Sequence, residues 1–432
     1  MKSVIAFGLG AMLAATASSA QVVISKGKTS NMSCSGAICT ATAPQAVLNV
    51  RTLKKMLRAG DATVDSAAAG SIDLEVPLSW THASTLTLAG GDGIVFAAPL
   101  RDLGKGGLAI TVANDQVWPN LVFQGTGTIT FKDLESTLTI NGVTFKLVNS
   151  VKSLARAVSA RADAIALADD YDAGPDGPYK RAPVQTYGGA FEGFGHTIAN
   201  LQIDDQHGDN YNGLFTILGG YIVDFRLTAV NIKTAFGECV GGLVGIEEGH
   251  THRVFISGDI VGNVTFHAGG LSGCDQNSVN SEDQASVNVT ANGAGGFSGF
   301  EQGSVTNSFA TGNVQGVTEA GYPDPQAGGM FADVQSGTVT GVYSTGLAQS
   351  PSFAGGFAGA VPVLGGNFSS VYWDTTTSGL DMGCGEGTCN NVTGLTTAQL
   401  QSGLPAGFDP LVWGQDASIN NGMPYLLGNP PH

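Results

Sequence analysis

Gly241-Gly242-Leu243-Val244-Gly245 recurs as Gly269-Gly270-Leu271-Ser272-Gly273 and again as Gly295-Gly296-Phe297-Ser298-Gly299. Looser copies are Gly328-Gly329-Met330-Phe331-Ala332 and Gly355-Gly356-Phe357-Ala358-Gly359, and Asn212-Gly213-Leu214-Phe215 is a degenerate one. From one start to the next the intervals are 29, 28, 26, 33 and 27 residues. The long interval holds Tyr322-Pro323-Asp324-Pro325, which reads as a loop inserted into one repeat. After each box comes a second element, such as Val254-Phe255-Ile256-Ser257-Gly258-Asp259-Ile260 or Val339-Thr340-Gly341-Val342-Tyr343-Ser344. Its apolar and small polar residues alternate as in short strands with one face inward. One such unit cannot bury its own apolar face, but a stack of them can. A propeller blade needs roughly 40 to 50 residues, more than this period supplies. The repeat therefore predicts an all-β, right-handed parallel β-helix. In it the paired glycines let the backbone turn tightly or let neighbouring coils approach closely, and Phe297, Phe331, Phe357 and Phe368 stack inside.

Working outward, the boxes resemble the glycine-rich GLUG repeats of bacterial surface and secreted proteins, over residues 185–375. The lead-in Tyr187-Gly188-Gly189-Ala190-Phe191-Glu192-Gly193-Phe194-Gly195-His196-Thr197-Ile198-Ala199-Asn200-Leu201 is similar to that of such proteins, as is Ala166-Leu167-Ala168-Asp169-Asp170-Tyr171-Asp172-Ala173. Val371-Tyr372-Trp373-Asp374 and Met423-Pro424-Tyr425-Leu426 resemble their closing segment, with Cys384 and Cys389 adding a pinched loop between the two. These repeats occur in adhesin-like proteins and beside some immunoglobulin-cleaving proteases. The resemblance implies an architecture and brings no catalytic set with it.

The flanks divide the rest. Lys2, the apolar run from Val4 to Ala15 and the small residues Ser18-Ser19-Ala20 read as a secretory signal peptide over residues 1–20. Residues 21–149 form a β-rich section similar to the secretion-related, filamentous-haemagglutinin type of β-helix. Leu53, Met56 and Leu57 there mark a short amphipathic helix or a β-helix edge. Residues 150–184 are a helical or loop connector, with Val151, Leu154, Val158 and Ile165 on one helix face that caps or interrupts the solenoid. Residues 376–432 are the closing segment.

Composition agrees. The chain has 63 Gly, 42% hydrophobic and only 12% charged residues, and a formal net charge of −16. That charge disfavours nucleic acid and anionic lipid, and no stretch after the leader is long and apolar enough to enter a membrane. The six cysteines, Cys34, Cys39, Cys239, Cys274, Cys384 and Cys389, suit three disulfides in an exported protein. Six cysteines allow fifteen pairings, and pairing of the close neighbours Cys34 with Cys39 and Cys384 with Cys389 is an inference from proximity.

Chemistry is sparse. Asp169, Asp170, Asp172 and Asp176 form one acidic group, and Asp204, Asp205 and Asp209 a second. Either could pair carboxylates for acid-base work or chelate calcium, but both sit in loop-like sequence and read as solvated turns. His250 and His252 share a strand face, with Glu247 and Glu248 before them and His267 one coil later, a zinc pattern whose plainer reading is a polar turn. Ser298 lies between glycines, but Val244, Phe331 and Ala358 hold the matching place in other boxes, so it is no nucleophile. Tyr343, Tyr372 and Trp373 could face a sugar. No catalytic, cofactor-binding or metal-binding residue is assigned. Gly241, Gly242, Gly269, Gly270, Gly295, Gly296, Gly328, Gly329, Gly355 and Gly356 are structural. No cofactor is expected beyond calcium. The expectation is a secreted or surface-exposed, non-catalytic, adhesin-like protein that binds glycan or protein ligands, with loops such as Gly321 to Gln326 carrying specificity. The alternative is an extracellular polysaccharide lyase or glycoside hydrolase.

Overall fold

In the computed structural model, residues 21–115, 118–262, 265–319, 321–362 and 365–431 are described. The signal-peptide expectation falls on residues 1–20 and lies outside them. The glycine boxes set the geometry of the longer solenoid. Sheet A consists of Tyr211–Asn212, Gly237–Gly241, Thr265–Gly269, Gly293–Gly295, Gln326–Gly328 and Phe353–Gly355. Its strands pair in parallel, with Gly241, Gly269, Gly295, Gly328 and Gly355 in one column. Sheet B begins three residues later in each coil: Phe215–Leu218, Val244–Glu247, Ser272–Asp275, Ser298–Glu301, Phe331–Val334, Ala358–Val361 and Cys384–Gly387. The remaining side, sheet C, is bent into two arms, represented in one coil by His250–His252 and Phe255–Gly262.

The box is thus the corner between sheets A and B. Its third residue points into the lumen, and Leu214, Leu243, Leu271, Phe297, Met330 and Phe357 are all fully buried. The hydrogen-bond ladder continues through the corner: Leu243 N–H donates to Leu271 O at 3.0 Å, Leu271 N–H to Phe297 O at 2.8 Å and Phe297 N–H to Met330 O at 2.8 Å. A Cβ at Gly270, Gly296 or Gly329 would lie closer than 3.0 Å to the carbonyl oxygen of the next coil's glycine. None of these residues has a positive φ. Close approach of coils is therefore the reason for glycine, rather than turn conformation. The expected Phe stack is present, with ring centroids 6.3, 5.4 and 5.2 Å apart from Phe297 through Phe331 and Phe357 to Phe368.

The first section is a second parallel solenoid. One of its sheets orders Leu121–Phe123, Gly93–Phe96, Ser71–Leu74, Gln21–Ser25 and Ala46–Asn49, and another runs from Val143–Thr144 through Thr85–Gly91 to Met32–Ser35. Strands such as Thr85–Gly91 alternate buried and half-exposed residues, as a period of two requires. Helix α1 (Val50–Ala59) is N-capped by the Asn49 side chain and puts Val50, Leu53 and Leu57 into this core. Helix α2 (Val151–Ser159) starts with a Ser150–Ser153 capping box and puts Val151, Leu154, Ala157 and Val158 into the core of the longer solenoid. The helix face expected to include Ile165 stops earlier. Arg161 has a positive φ, and Ile165 lies in the strand Ala164–Leu167, which pairs with Lys146–Val148. The fold is therefore an all-β parallel solenoid with short helical interruptions.

Three disulfides join Cys34–Cys39, Cys239–Cys274 and Cys384–Cys389. The C-terminal segment runs back along the second arm of sheet C. Phe408 and Trp413 pack on Phe309 and Tyr343, Tyr343 O–H donates to Pro424 O at 2.6 Å, and Arg226 donates to Asn429 Oδ1 at 3.2 Å. Among the described residues, no helix is long and apolar enough to cross a membrane.

Candidate functional site

The residues singled out in the sequence scatter over the molecule. His250 and His252 do share a strand face, but Trp118 of the first section covers them. Its ring stacks on His252 at 4.4 Å and meets His250 edge-on at 6.5 Å. His267 is on sheet A, against Phe266 and Phe300. The three imidazoles do not converge, and the stretch read as a polar turn is corrected to the strand His250–His252 in an inter-section packing surface. Glu247, read as part of a polar turn, is fully buried in the lumen, whereas Glu248 is exposed. Tyr343 and Trp373 are also buried, the first beneath the C-terminal segment and the second against Gly356 and Gly383. Only Tyr372, half-buried, keeps an accessible face. Sequence reading missed this because the covering segment is far away in the chain.

The two acidic groups, read as solvated turns, are corrected in part: Asp172 ends the strand Tyr171–Asp172, Asp176 ends the 3-10 helix Gly174–Asp176, and Asp204 and Asp205 end the strand Gln202–Asp205, each with specific partners. Asp172 is held below the usual carboxylate range by the Asn200 amide and the Gly174 N–H. Burial works to raise Asp176, but hydrogen bonds from Tyr179, Lys152 and Tyr171 outweigh it and lower it. Asp204 is lowered by Gln206 and Lys180. Asp205 is fully buried and accepts from the backbone N–H of His207 and Asp209, both at 2.8 Å.

Asp170 is different. It lies beside Asp169 and His196, and the three offer ligand atoms within 4.8 Å of one another, a set that can coordinate a divalent cation such as calcium. His196 is buried and bridges the sections. Its Nε2 faces Ile129 O at 2.9 Å, and its Nδ1 faces Asp170 Oδ1 at 3.1 Å. With Nε2–H donating to the carbonyl, Nδ1 meets a carboxylate with its lone pair unless a proton or a cation stands between. The His196 hydrogen bond, helped by the Thr197 N–H, holds the Asp170 carboxyl below its ordinary range against the opposing effect of burial. A cleft of about 170 Å³ adjoins it, lined by Phe123, Thr126, Thr128, Thr197, Arg226 and Pro430 among others. Burial brings Arg226 down to about 10.

A notch lies where sheets A and B diverge from the glycine corner, with clefts at its two ends. Tyr211, Cys239, His267 and Gly293 share one column on sheet A, and Ile217, Ile246, Cys274, Phe300, Asp333 and Ala360 share one on sheet B. The Cys239–Cys274 disulfide ties its walls, with Ile246, Tyr211, Ile217 and Phe300 around it. On the rim, Phe236, Phe266 and Tyr322 are 41%, 42% and 37% exposed. The Phe266 ring lies 5.1 Å from Tyr322 and 4.2 Å from His267. Toward the C-terminal end the notch opens into a cleft of about 430 Å³ lined by Gln326, Asp333, Gln335, Ala360 and Glu386. Asp333 and Glu386 are two rungs apart, with Ala360 between, a backbone separation of about 9.6 Å at ~4.8 Å per rung. Burial raises the Asp333 carboxyl. The Gln335 hydrogen bond opposes that shift, and the charge of Glu386 adds to it. No local pattern reveals this pair, because the two acids lie 53 residues apart and meet only through strand register.

A stretch of 107 residues, 24% of the chain, is 36% identical to Halomucin of Haloquadratum walsbyi and spans 1% of that protein's length. No protein-family profile and no solved structure matches the chain.

Proposed function

We propose that this is a non-catalytic, adhesin-like solenoid of the GLUG-repeat or filamentous-haemagglutinin type, secreted or held at the cell surface, that binds glycan chains along the notch. One observation carries the reading: the accessible aromatic rings Phe236, Phe266 and Tyr322 line one rim, while the strongly raised carboxyl groups Glu192, Glu247 and Glu301 are all fully buried away from it. Exposed aromatic rings beside a groove offer apolar faces with little conformational entropy to lose on binding. The test is a glycan array with the purified protein, in the presence and absence of calcium. Saturable binding that falls at least tenfold in the Phe266→Ala, Tyr322→Ala double variant, with no new reducing ends or unsaturated products, supports it. Binding unchanged in that variant refutes the rim as the site.

The Asp333–Glu386 pair favours a second reading. A raised carboxyl and an exposed one in the same column of sheet B, lining one cleft, are the pairing that an acid and base of a glycoside hydrolase need. Cleavage on the same array, abolished by Asp333→Asn and by Glu386→Gln, would make the protein an enzyme. Cleavage abolished instead by Asp170→Asn would move the chemistry to the junction cleft.

A further inference from the structure

A polar layer interrupts the apolar core in the lumen of the longer solenoid. Glu247, Asp275 and Glu301 end successive strands of sheet B, with Leu218 before them and Val334 after them in the same column. Asp283 enters the layer from the bend of sheet C. All four carboxyl groups belong to residues with 0% exposure. Asp275 accepts from Ser278 N–H at 3.0 Å, from the Ser278 hydroxyl and from Asn280 Nδ2 at 2.8 Å. Asp283 accepts from Val254 N–H and from the Thr251 hydroxyl, both at 2.7 Å. Glu301 accepts from Gly303 N–H at 2.8 Å. The single Thr251 hydroxyl hydrogen is also faced by Asn280 Oδ1.

Donors run out before acceptors do. Neither oxygen of Glu247 accepts a well-formed hydrogen bond, nor does Oε2 of Glu301, and the Ser272 hydroxyl also makes none. The hydroxyls of Thr251 and Ser272 lie beside Glu247. Among the described residues, no lysine, arginine or histidine forms an ion pair with any of the four. The buried guanidinium of Arg253 is taken by Asp224 and by Leu121 O. Buried carboxylates without donors or counter-charge are not tolerated unless something positive joins them.

We propose that a divalent cation of the calcium class is held in this lumen between Glu247 and Asp275, with the oxygens of Ser272 and Thr251 in its shell. The donors are all oxygen, as a hard cation requires. One such ion balances two carboxylates and takes up the orphaned Glu247 oxygens and the Ser272 lone pairs together. Asp283 and Glu301 keep their backbone N–H donors. The site is closed, so the ion enters as the coils stack and leaves only when they open, which makes it part of the folded state.

Elemental analysis of the native protein after dialysis against a chelator decides the matter. The expected result is one equivalent of calcium per chain that survives chelation of the folded protein and is released on unfolding in urea. Glu247→Gln or Asp275→Asn should retain less than a tenth of an equivalent. Asp170→Asn, which alters the exposed junction cluster, should keep the full equivalent. Should the lumen variants fail to fold, the wild-type content still decides. A folded wild-type protein with no tightly held metal overturns the proposal and leaves protons to fill the deficit. Metal lost with Asp170→Asn and kept in Glu247→Gln overturns it as well, since the ion would then belong to the junction.

Discussion

His267 makes acid a specific perturbation of the notch. It is buried between Phe266 and Phe300, and burial pushes its imidazole down to about 4 from an ordinary 6.5. A histidine held neutral in the fold costs nothing above pH 6.5, where the unfolded chain is neutral too. Between 6.5 and about 4 the unfolded state takes up a proton that the folded state refuses, so stability falls as pH falls through that window. The fall from 6.5 to about 4, at about 1.36 kcal/mol per tenfold change in proton affinity, gives a loss of about 3 kcal/mol that levels off below pH 4. His252, stacked on Trp118, is shifted in the same direction by burial, and the lumen carboxyls titrate as well. The clean measurement is therefore a difference. Urea unfolding of the wild type and of His267→Phe, each at pH 7.5 and pH 4.5, cancels every group the two proteins share. Phenylalanine preserves the ring packing and removes the proton site. The wild type should lose about 2 to 3 kcal/mol more than the variant on acidification. Equal losses in the two proteins would refute the claim that desolvation in the notch controls this histidine.

The glycine column makes a contrast between neighbours. Gly270→Ala puts a Cβ against Gly296 O and should cost about 1 to 3 kcal/mol or stop the coils stacking, whereas Gly219→Ala, with nothing within 4 Å of its new Cβ, should stay within about 0.5 kcal/mol of wild type in the same unfolding assay. Arg253→Met leaves Asp224 buried without its partner and removes the bond to Leu121 O. It should cost about 3 to 5 kcal/mol, and Asp224→Leu added to it should recover a good part of that loss. Replacing Cys239 and Cys274 with serine removes a cross-link over 35 residues, worth about 3 to 4 kcal/mol by loop entropy, and mass spectrometry of a non-reduced digest should show that peptide pair linked in the wild type.

How much of this was legible depended on how local the cause was. The box at Gly241-Gly242-Leu243 announces the solenoid, because the same corner recurs in every coil and each coil repeats the same steric demand. Helix α1 was legible from Leu53, Met56 and Leu57, though Met56 is only partly buried. The fate of individual polar residues was hidden. Glu247 beside Gly249 looks like a turn, yet it lies in the lumen, and nothing near it in sequence provides Asp275 or Glu301. Tyr343 looks like a surface aromatic in an alternating strand until the segment around Phe408 and Trp413 folds back over it. Asp170 and His196, or Asp333 and Glu386, are neighbours only by register across coils, which depends on the exact loop lengths between them.

The same division says where function can reside. A side chain at the glycine corner strikes a neighbouring backbone, so the corner can vary little without unstacking two coils. The lumen is equally constrained, by volume at Phe297 and Phe331 and by unmet charge at Glu247. The notch rim and the inserted loop at Tyr322 carry neither constraint. Phe266 and Tyr322 touch each other and their immediate neighbours, and their rings can change without disturbing a ladder hydrogen bond. A solenoid built this way separates its stacking chemistry from its outward chemistry. Each added coil lengthens the notch by one rung and offers one more position for a contact. Affinity for an extended ligand then grows by repetition, with many modest contacts in register along one edge, and a concentrated site is not needed for tight binding.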